Sequence, residues 1–165
     1  MNTMKNHSRI VFVGFLLFLF VAAINSSCKK PDSETSIAPN TWQHDSVVVH
    51  PTNSSRVRSQ SYTGINFLVA PFIEMPSISI YFYSNFPRTS GRYKITNILT
   101  ADTEIQINSS ENLQPGSMCL NTGSYCKIDV DDSGKLSFLA VHFPMKQLLF
   151  VGGDTSYYSL NLKEF

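Results

Sequence analysis

The chain has 165 residues, with 13 basic residues set against 12 acidic ones and four histidines. That length suits one domain with a real core. The near balance of charge excludes the concentrated basic face that phosphate binding requires, so nucleic acid is not an expected partner.

The chain opens on a short segment carrying Lys5 and Arg9 and no acidic residue. Ile10 to Ile24 follows, apolar throughout except for Gly14. A helix of that length reaches about 22 Å at 1.5 Å per residue. A bilayer's hydrocarbon core is roughly 30 Å thick, so the run is short for a permanent span and has the length of a signal-peptide core. Ser26 and Ser27 then place small residues directly before Cys28, and Lys29-Lys30 come after it.

A small-residue pair followed by cysteine resembles the lipobox of bacterial lipoproteins, in which the cysteine is lipidated and becomes the first mature residue. Asn25 stands where the usual box carries Leu, Val or Ile. The run Ser-Ser-Cys-Lys-Lys, trailed by Asp32 and Glu34, is similar to small lipoproteins of the Bacteroidota. The resemblance implies lipidation at Cys28, a membrane partner reached through that lipid, and a place in the cell envelope, at the outer membrane. The mature domain would then lie in the periplasm or at the cell surface. An ordinary secretory signal cut near Ser27, or an uncleaved anchor, is the alternative. Cleavage before Cys28 leaves 11 basic and 12 acidic residues, a mature net charge near −1.

The boundaries expected are a signal peptide at 1–27, a flexible tether at 28–40 and one domain at 41–165. The tether reads KKPDSETSIAPN from Lys29, polar and without periodicity. Trp42 opens the domain, and Ser46 to His50 contains its first β-branched run. Residues 51–61 read as a loop or irregular edge strand. Strand patterns then recur at Tyr62–Val69, Ser77–Ser84, Arg92–Ile98, Thr103–Asn108, Ser117–Leu120 and Tyr125–Val130. Three more follow at Lys135–Phe143, Gln147–Val151 and Tyr157–Lys163. Turn residues separate them, among them Pro115-Gly116, Thr122-Gly123 and Asp132-Ser133-Gly134. The fold expected is all-β, an antiparallel β-sandwich or flattened barrel of about nine short strands.

Alternation assigns faces. Ile78, Ile80 and Phe82 share one face, with Ser79, Tyr81 and Tyr83 on the other. Ile105 pairs with Ile107 in the same way, and Tyr158 with Leu160 and Leu162. KLSFLAVHF is apolar on both faces, as a covered central strand would be. His142 falls in register with Leu136, Phe138 and Ala140 and is expected in the core or at a strand end. The entry Phe86-Pro87-Arg88-Thr89-Ser90-Gly91-Arg92-Tyr93 resembles the Pro…Gly-x-Tyr strand entry of uncharacterised Bacteroidota lipoproteins. That likeness implies a sandwich and supplies no reaction.

Cys28 accounts for one of the three cysteines. Cys119 and Cys126 flank Thr122-Gly123 symmetrically and would face each other across a hairpin centred there. Facing Cα atoms lie about 4.5–5.5 Å apart, which a disulfide accepts. A structural disulfide is the expectation, and two free buried thiols are the alternative.

Chemistry is sparse. The histidines beyond the leader, His44, His50 and His142, show no metal spacing. No nucleophile elbow, P-loop or dinucleotide fingerprint occurs, and no cofactor is expected. Asp129, Asp131 and Ser133 fall at the first three ligand positions of a calcium loop, with Gly134 at the sixth, but Ala140 occupies the place of the bidentate Glu. A hairpin turn with solvated carboxylates is the simpler reading. Tyr81 and Tyr83 would form an aromatic strip, with Arg92 or Lys94 beside it on the next strand, suited to sugar or protein recognition. The expectation is therefore a non-enzymatic binding or assembly module for glycan or protein. An envelope hydrolase of glycans or peptides, and a structural accessory subunit of a surface complex, are the alternatives.

Overall fold

The computed structural model describes residues 37–69, 76–111, 114–147 and 153–165. The signal segment, Cys28 and the tether as far as residue 36 lie outside the described residues, as do residues 148–151 of the expected strand Gln147–Val151. The described chain is all-β, with eleven strands and no helix. β1 (Thr41–His44), β2 (Val47–Val49), β3 (Asn53–Arg58), β4 (Thr63–Leu68), β5 (Ser77–Phe82) and β6 (Gly91–Ile95) form the first half. β7 (Glu104–Glu111), β8 (Gln114–Cys119), β9 (Tyr125–Val130), β10 (Leu136–Gln147) and β11 (Thr155–Lys163) complete it.

The strands follow the order β2-β1-β11-β10-β9-β6-β7-β5-β4-β3. β8 lies off this path and pairs with both β10 and β7, which closes β6, β7, β8, β10 and β9 into a ring. Both long members of the ring divide one edge between two short partners. β7 gives one edge to β5; on the other, Glu104 and Ile105 meet β6, and Asn108 onward meets β8. β10 gives one edge to β11; on the other, Leu136–Leu139 meet β9 and Met145–Gln147 meet β8. The result is a flattened barrel extended by strands at both sides.

The inward residues are those that alternation selects. Ile78, Ile80, Phe82, Ile105, Ile107, Leu160 and Leu162 are all buried. Phe138 of β10 meets Phe67 of β4 edge-on, with ring centroids 5.8 Å apart, and lies 6.3 Å from Phe82 of β5. One rim is closed by a polar clasp. The Arg56 guanidinium donates from Nε and Nη2 to the two Glu164 carboxylate oxygens, both at 2.7 Å. Glu164 also accepts from the Leu136 amide at 2.6 Å, while its own amide donates to the Leu136 carbonyl at 3.0 Å. Glu164 is thereby buried with its charge paired and its lone pairs occupied, the condition under which a buried carboxylate is tolerated.

Several expectations are corrected by this topology. There are eleven strands among the described residues, because the entry from Trp42 to His50 supplies β1 and β2, and residues 51–61 supply β3 as an edge strand, the second of the two readings of that segment. The sheet is mixed, since β6 and β7 run parallel over a short register. The expected break at Phe143–Pro144 is absent: β10 continues through Pro144, which follows a bulge between Ala140 and Phe143, a place where proline is accommodated. That bulge also reverses His142. The extra residue turns Phe143 inward, and His142 becomes exposed at φ 53°, stacked on Tyr157 with ring centroids 4.2 Å apart. The His142 amide released from the ladder donates to the Ser159 hydroxyl at 2.9 Å. Leu139 and Val141 are exposed, so KLSFLAVHF is covered on one face only. At the N-terminal side, the Asn161 side chain donates to the Ile37 carbonyl and the Lys163 amide to Asn40 Oδ1, which docks residues assigned to the tether.

The disulfide expectation fails for the same topological reason. β8 and β9 do not form a hairpin with each other; Cys119 is opposite Met145, and Cys126 is opposite Tyr93. Both cysteines are free and buried. Burial pushes the Cys119 thiol up to about 11 and the Cys126 thiol up to about 12, so both stay protonated. Cys119 has a structural task. Its thiol donates to the Thr96 carbonyl at 2.9 Å and accepts from the Ile107 amide at 3.2 Å, where β7 passes from β6 to β8. In native buffer a thiol reagent should modify neither Cys119 nor Cys126, and in denaturant it should modify both. A pair that reacts in neither state contradicts this. Cys119→Val, which leaves two buried backbone groups unpaired, should cost about 1–3 kcal/mol in urea denaturation, and Cys119→Ser less.

Candidate functional site

The outer face of the β4–β5–β7 layer is built from the residues that alternate with the core. Asn66 of β4, Ser79 of β5, Asn108 of β7 and Met118 of β8 form one cross-strand row. Gly64, Tyr81 and Gln106 form the next. Gly64 matters because it has no side chain. A Cβ there would lie 2.7 Å from Tyr81 Cδ1 and 3.0 Å from the Ile80 carbonyl oxygen. The Tyr81 ring lies across the strand at this glycine, a cross-strand aromatic–glycine pairing. Tyr62, at the entry to β4, meets Tyr81 nearly perpendicular, with ring centroids 5.0 Å apart and an interplanar angle of 83°.

These two rings, with Ser61, Leu99, Gln106 and Asn108, line an open cleft of ≈ 350 Å³. Its polar groups are poorly paired. Gln106 Nε2 donates to the Met118 sulfur, a weak acceptor. Asn108 Oδ1 is buried without a partner, as is Asn66 Oδ1 in the same row. Such an oxygen costs about 1–3 kcal/mol relative to a satisfied one.

Of the expected strip, Tyr81 forms a wall of this cleft, whereas Tyr83 lies beyond the end of β5 and is exposed. Arg92 and Lys94 are not on the adjacent strand, because β7 lies between β5 and β6. Lys94 is opposite Glu104 of β7. The Arg92 guanidinium sits 4.7 Å over the Tyr125 ring on the other side. Arg92 and Tyr125 border a second open groove of ≈ 570 Å³, with Lys127, Leu139 and Val141 on its floor and walls. Thus Tyr81 and Arg92 border two different hollows, and Tyr83 and Lys94 line neither. Tyr62, Gln106 and Asn108 went unrecognised in the sequence because they come from separated segments; Gly64 inside a strand pattern was the available signal.

The Asp129–Leu136 segment is a turn in which Asp131 serves the backbone. Its Oδ1 accepts from the Ser133 hydroxyl at 2.6 Å and from the Ser133 and Lys135 amides, each at 3.0 Å. Gly134 takes φ 78°, the left-handed conformation the turn requires. Asp129 points elsewhere and pairs with Lys127 at 2.8 Å. Among the described residues no three His, Cys, Asp or Glu side chains gather as a metal site. The chain matches no family model, no curated protein and no solved structure.

Two carboxylates hold turns closed and are shifted accordingly. The Ser133 hydroxyl, followed by the Lys135 amide, holds Asp131 below the usual carboxylate range. The Thr100 hydroxyl and amide do the same for Glu104. Because both folded values are depressed, their stabilisation is complete above the unfolded carboxylate range and is lost as pH falls through the folded values. Asp131→Asn should therefore lose less of its thermal midpoint than the wild type between about pH 6 and about pH 2. Parallel curves contradict the assignment. Gly64→Ala should cost about 1–3 kcal/mol in urea by displacing Tyr81, and an unchanged midpoint contradicts the packing described.

Proposed function

We propose that this chain is a lipid-anchored binding module of the bacterial cell envelope, held at the outer membrane through Cys28 and acting without catalysis. The likeness of Ser26-Ser27-Cys28 to a lipobox supports the anchor. Each buried acyl CH₂ contributes about 0.8 kcal/mol, and stable attachment takes more than one chain, as a multiply acylated Cys28 would provide.

One observation carries the binding reading. Among the described residues, the buried carboxylate and thiols are engaged in structure, while under-satisfied polar groups and aromatic rings meet in or just beneath the outer cleft. Glu164 is bound by Arg56 and the Leu136 amide, and both cysteines are protonated thiols. In the cleft, by contrast, the Asn108 carbonyl lacks a partner and the Gln106 amide rests on a thioether beside Tyr62 and Tyr81. A recognition surface needs such groups, held on strands that fix them before the ligand arrives.

The anchor is tested by metabolic labelling of the full chain with an alkyne fatty acid in a lipoprotein-processing bacterium. Label should appear on the wild type and be lost in Cys28→Ala. Equal labelling of both, or an unlabelled wild type, contradicts the proposal.

A further inference from the structure

We infer that the Tyr62–Tyr81 cleft is a carbohydrate site that takes a sugar unit of a neutral glycan. This deepens the binding-module reading and rests on it. Charge narrows the ligand first. Ser61, Tyr62, Tyr81, Leu99, Gln106 and Asn108 include no ionised side chain, so nothing in the cleft neutralises a carboxylate, phosphate or ammonium. Size narrows it next. A cleft of ≈ 350 Å³ lies at the small end of ligand sites, which suits one or two sugar rings better than a folded partner.

The surface chemistry then selects among small neutral ligands. The rings stand at 83° to one another and form a corner with two apolar walls. A pyranose has C–H faces that lie against aromatic rings, and hydroxyls around its edge. Each hydroxyl both donates and accepts. One can therefore replace the Met118 sulfur as acceptor for Gln106 Nε2, and another can donate to Asn108 Oδ1 once that side-chain amide turns outward, since the oxygen is buried beneath the cleft surface. A purely apolar ligand would leave the Asn108 oxygen unpaired. The site is also preorganised: Tyr81 is held against Gly64, and Gln106 and Asn108 project from β7, which pairs with β5 along one edge and with β6 and β8 at the two ends of the other.

The test uses full-length protein in detergent on an array of oligosaccharides ending in glucose, galactose, mannose or N-acetylglucosamine. Sialylated and uronate-terminated glycans are arrayed beside them. The site predicts retention of at least one neutral class, with affinity constant between about 0.05 and 0.5 M NaCl. Tyr81→Ala and Asn108→Ala should each weaken binding by ~10-fold or more, and Tyr81→Phe should retain it. Because Tyr81→Ala also uncovers Gly64, Gln106→Ala with an unchanged thermal midpoint provides the second variant and should weaken binding as well. Retention of acidic glycans alone, no retention, or binding indifferent to Asn108→Ala and Gln106→Ala overturns the inference. Loss of glycan binding with an intact protein partner would leave the module reading standing without this site. Release of shortened sugars in solution would support the sugar site and overturn the non-catalytic reading.

Discussion

The constraint on which this fold depends is the division of one edge of β7 and one edge of β10 between two short partners. A strand edge presents backbone donors and acceptors along its whole length, and each buried group must find a partner. β6 and β9 serve one end of the gap between the long strands, and β8 serves the other. Where the partner changes, the ladder is interrupted. The Cys119 thiol fills that interruption at Ile107, and it can also donate to Thr96 because it stays protonated. Closure then propagates outward: β10 carries Phe138 against the β4–β5 layer, and the Glu164 clasp ties the far rim to Arg56.

Among the described residues, several buried or charged groups are engaged in structure in this way. The buried carboxylate closes a rim, the buried Cys119 thiol bridges the ring, and the Asp131 turn consumes its own carboxylate oxygen. The outer faces are built on the same hydrogen-bonded ladders. Two of these carry aromatic side chains in unlike company. Tyr125 lies beneath a guanidinium near exposed Leu139 and Val141, while Tyr62 and Tyr81 stand among amides. The second combination, neutral and incompletely paired, is the one on which the proposed sugar site rests.

Much of the fold was legible in the sequence, since a period of two states which side chains point inward. The period sets Ile78, Ile80 and Phe82 on one face, and that face is the buried one. What the period cannot convey is which strand neighbours which. β8 and β9 are consecutive and separated by a turn signal, so a hairpin and a disulfide were expected, yet both strands pair with β10. A single bulge likewise defeated strict alternation at His142, because one extra residue exchanges the faces for everything beyond it. The site was half legible. Tyr81 was singled out, but its partners Tyr62, Gln106 and Asn108 are brought to it by strand order alone, which also separates it from Arg92 and Lys94.

The most direct measurement of this account is residue-resolved amide hydrogen exchange on the intact protein. If the ring is closed, Ile107 on β7, bonded to a thiol, should exchange as slowly as Leu139 and Ala140 on β10, all through global unfolding. Rapid exchange at Ile107 and along the β8 end, with protection kept at the β6–β9 end, would show the ring open and would contradict the rigid scaffold from which the outer cleft is argued.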